Sequence, residues 1–324
     1  MRILGIIVNY RTSELALRAA RTLLDDLPGL PGSSVVVVDN DSGDGSYERL
    51  CAGVREHGIE DRVRVRASDH NGGLGYGINL ALAAALAEPA PPDAFFILNS
   101  DAFPEPGCVG KLVHCLDAHP RCGIAGSLVH GVDGALHTTT FRFPSIVGEF
   151  NANLRLGLFT RLIGEGRVQA IPTPNETTRV DWLAGCSMLV RREVFERVGL
   201  FDEGFFLYYE ETDLCRRAAR EGFETWFVPE AAVAHVGSAS TDFQNLAKPR
   251  PRYWFESRNR YFLKHHGRAY LALANAGWVV SFALWRVRRF LQRSPDFDPP
   301  RLLQDFLRYS FAGAGRAASS SDAS

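Results

Sequence analysis

The sequence predicts an α/β fold built on an open, mostly parallel β-sheet flanked by helices. Three observations carry that prediction. Apolar, β-branched runs alternate with helical segments through the first hundred residues, which is the rhythm of βαβ units. The runs are continuous rather than alternating, as expected of strands covered on both faces. Three strand ends carry polar or acidic residues, namely Asn9, the cluster from Asp39, and Asp101. Ligands of such sheets sit beyond the carboxyl ends of the strands.

Taken in order, Ile3 to Val8 reads as the first strand. Ser13 caps a helix through Leu24, closed by the turn residues Leu27 to Gly32. Ser34 to Val38 is a second strand ending in the polar cluster Asp39 to Ser46, and Arg62 to Ala67 is a third. The glycine-rich stretch Asn71 to Gly77 leads into an alanine-rich helix through Ala87, and Ala94 to Leu98 is a fourth strand stopping at Asn99-Ser100-Asp101. Residues 123–180 read as a loop-rich insertion. A compact block resumes with Trp182 to Val190, a short helix over Arg192 to Val198, and an aromatic strand over Phe205 to Tyr209. The acidic run Glu210-Glu211-Thr212-Asp213 then opens a helix through Glu221, followed by a strand near Thr225 to Val228 and then Ala234-His235-Val236-Gly237.

The composition changes after Thr241. Between Arg250 and Arg293 stand ten Lys/Arg against the single acid Glu256, a local charge of +9. Inside lies Tyr270 to Trp285, sixteen residues with only Asn275 and Ser281 strongly polar, short of the roughly 20 needed to span a bilayer. Flanking arginines with Trp278 and Trp285 suit a helix lying in the interface of an anionic membrane. The alternative is a helix buried against the rest of the chain. The tail 312–324 is small and polar and reads as disordered. The organisation expected is one large domain over 1–245, with halves over 1–122 and 123–245, then a basic helical region over 246–311.

At 46% hydrophobic and 23% charged, the 324 residues suit an ordinary globular protein. A net charge of -1 offers no global attraction to nucleic acid, so no such partner is expected. The start MRILGIIVNY lacks the long apolar segment and cleavage site of a secretory leader, and a cytoplasmic location is expected. The six cysteines are then read as reduced thiols. Cys108, Cys115 and Cys122, with His114 and His119 between them, invite a zinc reading, but the seven-residue interval suits buried thiols on a helix face better.

Transfer from a phosphate ester of a sugar needs a cation to neutralise the departing diphosphate and a base for the incoming hydroxyl. Asp101 stands at a strand end, Glu210, Glu211 and Asp213 open a helix, and His235 follows the next strand. An acidic helix start is also ordinary dipole chemistry, so it is the combination in this order that points to a site.

The motifs Val8-Asn9-Tyr10, Val38-Asp39-Asn40-Asp41-Ser42, Asn71-Gly72-Gly73-Leu74-Gly75 with Asn79, Leu98-Asn99-Ser100-Asp101, and Gly199-Leu200-Phe201-Asp202-Glu203 followed by Glu210-Glu211-Thr212-Asp213-Leu214 resemble family 2 glycosyltransferases. Among these, bacterial rhamnosyltransferases and galactofuranosyltransferase-like enzymes are the most similar, over roughly residues 2–240. The resemblance implies the GT-A fold, a nucleoside-diphosphate sugar donor, a Mg²⁺ or Mn²⁺ ion, and inversion at the anomeric carbon. It places Asn9, Tyr10, Asp39 and Asn40 at the nucleotide, and Asn71, Gly72, Gly73 and Asn79 around the donor pocket. Asn99-Ser100-Asp101 stands where the family has Asp-x-Asp, with the first acid replaced by Asn. That leaves Asp101, with His235, to hold the metal. Glu211 stands where an aspartate base is usual. Trp182, Gly185 and Cys186 resemble the acceptor-side segment, although Trp182 also suits a core anchor.

The donor expected first is deoxythymidine-diphosphate rhamnose, and the acceptor a glycan or polyprenyl-linked glycan at the cytoplasmic face of the inner membrane. Two other classes share parts of the pattern. A nucleotidyltransferase also sets metal and nucleotide at strand ends, but its glycine-rich phosphate loop is missing after the first strand, where Asn9 to Ser13 contains no glycine. A catalytically inactive, membrane-associated scaffold is compatible with the substitutions at Asn99 and Glu211.

Overall fold

The computed structural model describes residues 1–27, 29–237 and 246–311. The tail expected to be disordered lies outside them. In chain order the elements are β1 (Ile3–Asn9), α1 (Ser13–Asp25), β2 (Ser34–Asp39), α2 (Ser46–Glu56), β3 (Val63–Ala67), α3 (Leu74–Leu86), β4 (Ala94–Asn99), β5 (Ala102–Pro104), α4 (Cys108–Ala118), β6 (Cys122–His130) and β7 (Thr140–Phe141). They continue with α5 (Ile146–Leu154), α6 (Gly157–Ile163), β8 (Thr178–Val180), β9 (Trp182–Leu183), β10 (Ser187–Arg191), α7 (Arg192–Val198), α8 (Glu210–Arg220), β11 (Glu224–His235), α9 (Arg252–Gln292) and α10 (Leu302–Phe311).

The main sheet runs β3-β2-β1-β4-β10-β6-β11-β5, with β8 also on β11. The half from β3 to β4 is parallel throughout, because each strand is returned to the sheet by a helix. β10 enters antiparallel between β4 and β6, and β6 and β11 are again parallel. Ile3, Ile7, Val35, Val37, Leu98 and Phe96 are buried under helices with Leu23 and Leu112. Cα partners Asn9↔Asp39 and Val8↔Asn99 bring three strand ends level at one edge of the sheet.

Three readings of the sequence are corrected. Residues 123–180 are not simply a loop-rich insertion, since β6 is a nine-residue strand of the main sheet; its small residues, Gly123, Ala125, Gly126 and Ser127, hide the strand pattern. Phe205–Tyr209 is not a strand, because Tyr208 and Tyr209 both have positive φ, 68° and 70°, which extended backbone excludes. Cys108 and Cys115 lie on α4, but Cys122 opens β6; all three are buried.

The chain divides into two compact units: Met1–Phe141, Ala170–Phe206 and Glu210–Ser240 form the first, and Arg142–Gln169, Leu207–Tyr209 and Thr241–Ser324 the second. In the second, the apolar segment belongs to the 41-residue α9, interrupted at Gly267 (φ 83°). By length and composition alone α9 is long and apolar enough to cross a membrane, a test that core helices also pass. One face of it is buried, with Trp278 stacked 3.8 Å from Phe306. Arg258 is wholly buried. It meets Glu149 of α5 through Nε at 2.8 and 3.1 Å and Nη2 at 2.5 Å, and donates to Asn275 at 2.6 Å. A buried charge is tolerated only when paired and hydrogen-bonded in this way.

Candidate active site

The polar cluster begins where β1 and β2 end together. The Asn9 side chain is 0% exposed. Its amide donates to Asp39 Oδ1 at 2.7 Å, and its carbonyl accepts from the Thr12 amide and hydroxyl, each at 3.1 Å. Ser42 donates to the same Asp39 Oδ1 at 2.6 Å through its hydroxyl and to Oδ2 at 3.3 Å through its amide. Asn9 therefore aims Asp39 rather than presenting its own side chain. Thr12 lies 3.0 Å from Ser100, linking this cluster to the end of β4. Neither Thr12 nor Ser42 was singled out from the sequence; their signal was the hydroxyl three residues beyond each strand end.

Asn40 closes the next loop. Its amide donates to Asn71 Oδ1 and to the Gly73 carbonyl, both at 3.0 Å, and Asn71 Oδ1 also accepts from the Gly73 amide at 3.1 Å. Gly73 has φ 92° and ψ -179°, a region open essentially only to glycine. A Cβ there would stand 2.0 Å from the Phe206 carbonyl oxygen. At Gly72 the Tyr76 ring fills the space of a side chain. Asn79 braces the turn at 201–203: its amide donates to the Phe201 carbonyl and to Glu203, both at 2.9 Å, and its carbonyl accepts from the Phe201 amide at 3.0 Å. Tyr10 is half-buried, with the Arg11 guanidinium 5.0 Å from its ring centre.

Pairing of β5 with β11 sets His235 opposite Ala102, and so beside Asp101. His235 Nε2 lies 3.0 Å from Asp101 Oδ1, with both side chains largely buried. Asn99 Nδ2 is 3.5 Å from the same Nε2. The pair suits a divalent cation: neighbouring ligands of an octahedral ion at about 2.1 Å stand about 3.0 Å apart. Among the described residues no group of three or more His, Cys, Asp or Glu forms a metal cage. A two-residue site of this kind relies on substrate phosphate oxygens and water for its remaining ligands. His137, which the sequence reading passed over, has its ring 6.0 Å from that of His235. Burial, then the neighbouring His235, holds its pKa below the usual imidazole value.

The acidic helix start lies against Gly185 and Cys186. Glu210 is 3% exposed and its Oε2 has no hydrogen-bond partner. Burial, reinforced by the adjacent Glu211 charge, raises its pKa well above the usual carboxylate value. Glu211 is only half-buried and lies against Gly185, where a Cβ would touch its Cβ, Cγ and Cδ at 3.4–3.7 Å. Glu211 Oε2 is buried as well, and two adjacent carboxylates disfavour each other's ionisation. Asp213 is directed elsewhere: it binds Arg217 at 2.7 Å, and Arg217 donates to the carbonyls of Val198, Gly199 and Leu200. Cys186 hands its carbonyl to the Asn99 amide at 3.0 Å. Burial, with Asp101 next, pushes its thiol up to about 12. Trp182 stacks on Phe141 with ring centres 4.3 Å apart.

A cavity of about 590 Å³ bordered by Arg2, Val36, Arg64 and Ala85 lies toward the starts of β1 to β3, at the other ends of the strands. It takes no part in this cluster.

The family model described as "Glycosyltransferase like family 2" matches residues 2–262. An N-acetylglucosaminyl-diphospho-decaprenol L-rhamnosyltransferase of Mycobacterium tuberculosis is 29% identical over 270 residues, 79% of this chain and 80% of its own length. Among solved structures, the mannosyltransferase PcManGT of Pyrobaculum calidifontis, in complex with GDP-Man and Mn²⁺, aligns with a TM-score of 0.54 at 16% identity. That alignment covers 97% of this chain and 86% of the other. GalNAc-T7 with UDP, GalNAc and Mn²⁺ aligns with a TM-score of 0.56 at 14% identity, over 90% of this chain. The chain spans about half the length of GalNAc-T7 (54%). At these identities the two structures speak to the fold, which is GT-A.

Proposed function

The chain belongs to glycosyltransferase family 2, and we propose that it moves a sugar, with inversion, from a nucleoside-diphosphate donor to a hydroxyl of a lipid-linked glycan. The observation that supports this reading is the Asp101–His235 pair at the carboxyl ends of the strands, with Glu211 close enough that the Cys186 thiol feels the charges of both Asp101 and Glu211. Asp39, aimed by Asn9 and Ser42, binds the nucleoside. Asn40, Asn71 and Gly73 shape the loop over the donor, and Asn79 holds the turn behind it. Asn99 and Ser100 line the approach to Asp101. Tyr10 and Gly72 lie on the same donor side.

Asp101 and His235 would hold a divalent metal, Mg²⁺ or Mn²⁺, which when bound would supply charge neutralisation at the diphosphate. Glu211 takes the proton of the acceptor hydroxyl as that oxygen bonds to the anomeric carbon and the bond to the diphosphate breaks. Glu210 stays protonated behind it, and Asp213 positions the turn at 198–200 through Arg217. Gly185, Cys186 and Trp182 form the acceptor side. The division into a catalytic domain over 1–245, with donor and acceptor halves meeting near 122, and a basic region over 246–311 is part of the same proposal.

Rhamnose from deoxythymidine-diphosphate rhamnose, with a polyprenyl-linked acceptor, is supported by the likeness to the mycobacterial rhamnosyltransferase. Such an acceptor places the enzyme at the cytoplasmic face of the inner membrane, in peripheral contact through 250–293. The test is transfer from a panel of nucleotide sugars to a polyprenyl-diphosphate N-acetylglucosamine acceptor with Mn²⁺ present. Transfer of one sugar supports the proposal. Absence of both donor binding and turnover across the panel supports an inactive scaffold.

A further inference from the structure

The near-zero charge of the chain conceals a strong division. The second compact unit carries 18 Lys/Arg against 8 Asp/Glu, a net +10, whereas the first carries 18 against 29, a net -11. The cationic unit also exposes large apolar side chains. Helix α6 buries none of its residues, and Leu158 and Leu162 are 64% and 77% exposed. On α9, Leu273, Val280, Leu284 and Leu291 are exposed; spacings of seven, four and seven align them along one stripe. The stripe faces away from Trp278 and Phe282, which pack on Phe306.

The two apolar elements adjoin. Arg288, one turn from both Leu284 and Leu291, donates through Nη2 at 2.6 Å to the carbonyl of Arg155, the residue that closes α5 two positions before α6 begins. The Arg155 guanidinium lies 4.8 Å from the Trp285 ring centre. We propose that α6 and this stripe of α9 form one surface that seats the second unit on an anionic lipid bilayer, lying in the headgroup plane. Charge selects this occupant. An anionic leaflet attracts a unit of +10, while a two-fold pairing of this face with its copy would set +10 against +10. The seat is interfacial rather than spanning, because the opposite face of α9 is already committed to Phe306. The inference deepens the membrane contact proposed above and rests on it, adding α6, which lies outside 250–293.

The test is co-sedimentation of the full chain with vesicles of phosphatidylcholine alone or with about one third phosphatidylglycerol, alongside donor binding in solution. Wild type is expected to bind the anionic vesicles at least about tenfold more tightly than neutral ones, and less tightly as salt rises. Leu158→Ser/Leu162→Ser and Leu284→Ser/Leu291→Ser should each lose about tenfold in vesicle affinity, with donor binding unchanged. Equal binding to both vesicle types, unaltered binding by both double variants, or a dimer dispersed by them would overturn the proposal. Failure of the transferase reading looks different: donor binding is missing while vesicle binding persists.

Discussion

Replacing Glu210 and Glu211 separately by glutamine asks which of two neighbouring carboxylates is the base. Glu210 is almost wholly buried with its proton retained, so Gln at 210 substitutes one neutral group for another of nearly the same shape. The cost is one altered polar contact, about 1 kcal/mol or less, which is a change in kcat within about fivefold. Glu211 is half-buried beside Gly185 and is the residue proposed as the base. Its replacement removes the proton acceptor, a loss of about 10²–10⁴ in kcat, equivalent to about 3–5 kcal/mol of barrier. The assay is single-turnover transfer from the accepted nucleotide sugar, with donor affinity measured in parallel and expected to change little in either variant. If Glu210→Gln abolishes transfer while Glu211→Gln leaves it near normal, the assignment of the proton between them is wrong.

The same pair gives a pH dependence of stability. A folded pKa raised above the unfolded value means that Glu210 contributes stability below about pH 4.5, lost as pH rises through the folded pKa. Glu210→Gln should therefore gain on wild type in melting temperature between pH 5 and pH 8, and a constant difference over that range would contradict the raised pKa. Gly73→Ala should lower stability by about 1–3 kcal/mol and weaken donor binding at least about tenfold, since the loop under Asn40 must move away from Phe206; unchanged calorimetric affinity would show that the loop does not contact the donor. Arg258→Met leaves Glu149 buried and uncompensated and should cost about 3–5 kcal/mol in denaturant unfolding. Adding Glu149→Gln should restore most of that, and additive losses would mean that the pair is not the coupled unit described.

The parallel half of the fold was legible because its strands are continuous β-branched runs, and periodicity reports such strands well. The same rule failed for β6, where Gly123 and Gly126 are required by neighbours: a Cβ at Gly126 would lie 2.4 Å from Leu183 Cδ1. It failed again at Phe205–Tyr209, whose aromatic composition suggests a strand while positive φ at two successive tyrosines makes a turn. The pairing of site residues was legible where a residue type is unusual for its position, as at Asp101 and His235. It was not legible where a role depends on which way a side chain turns. Asp213 and Glu211 stand two apart on one helix, yet one is spent on Arg217 and the other faces Gly185. Most of the +10 was legible as the basic stretch 250–293, whereas residues 142–169, which add four arginines against two glutamates, join the C-terminal helices only in three dimensions.

Calorimetric titration of the accepted nucleotide sugar, with and without Mn²⁺, into wild type and Asp101→Asn is the most direct test of the site at the strand ends. Wild type should bind in the presence of the metal and lose at least about tenfold in affinity without it. Asp101→Asn should bind as wild type does without metal, while keeping its melting temperature. Equal affinity in all four titrations would contradict the assignment of donor and cation to Asp101 and His235.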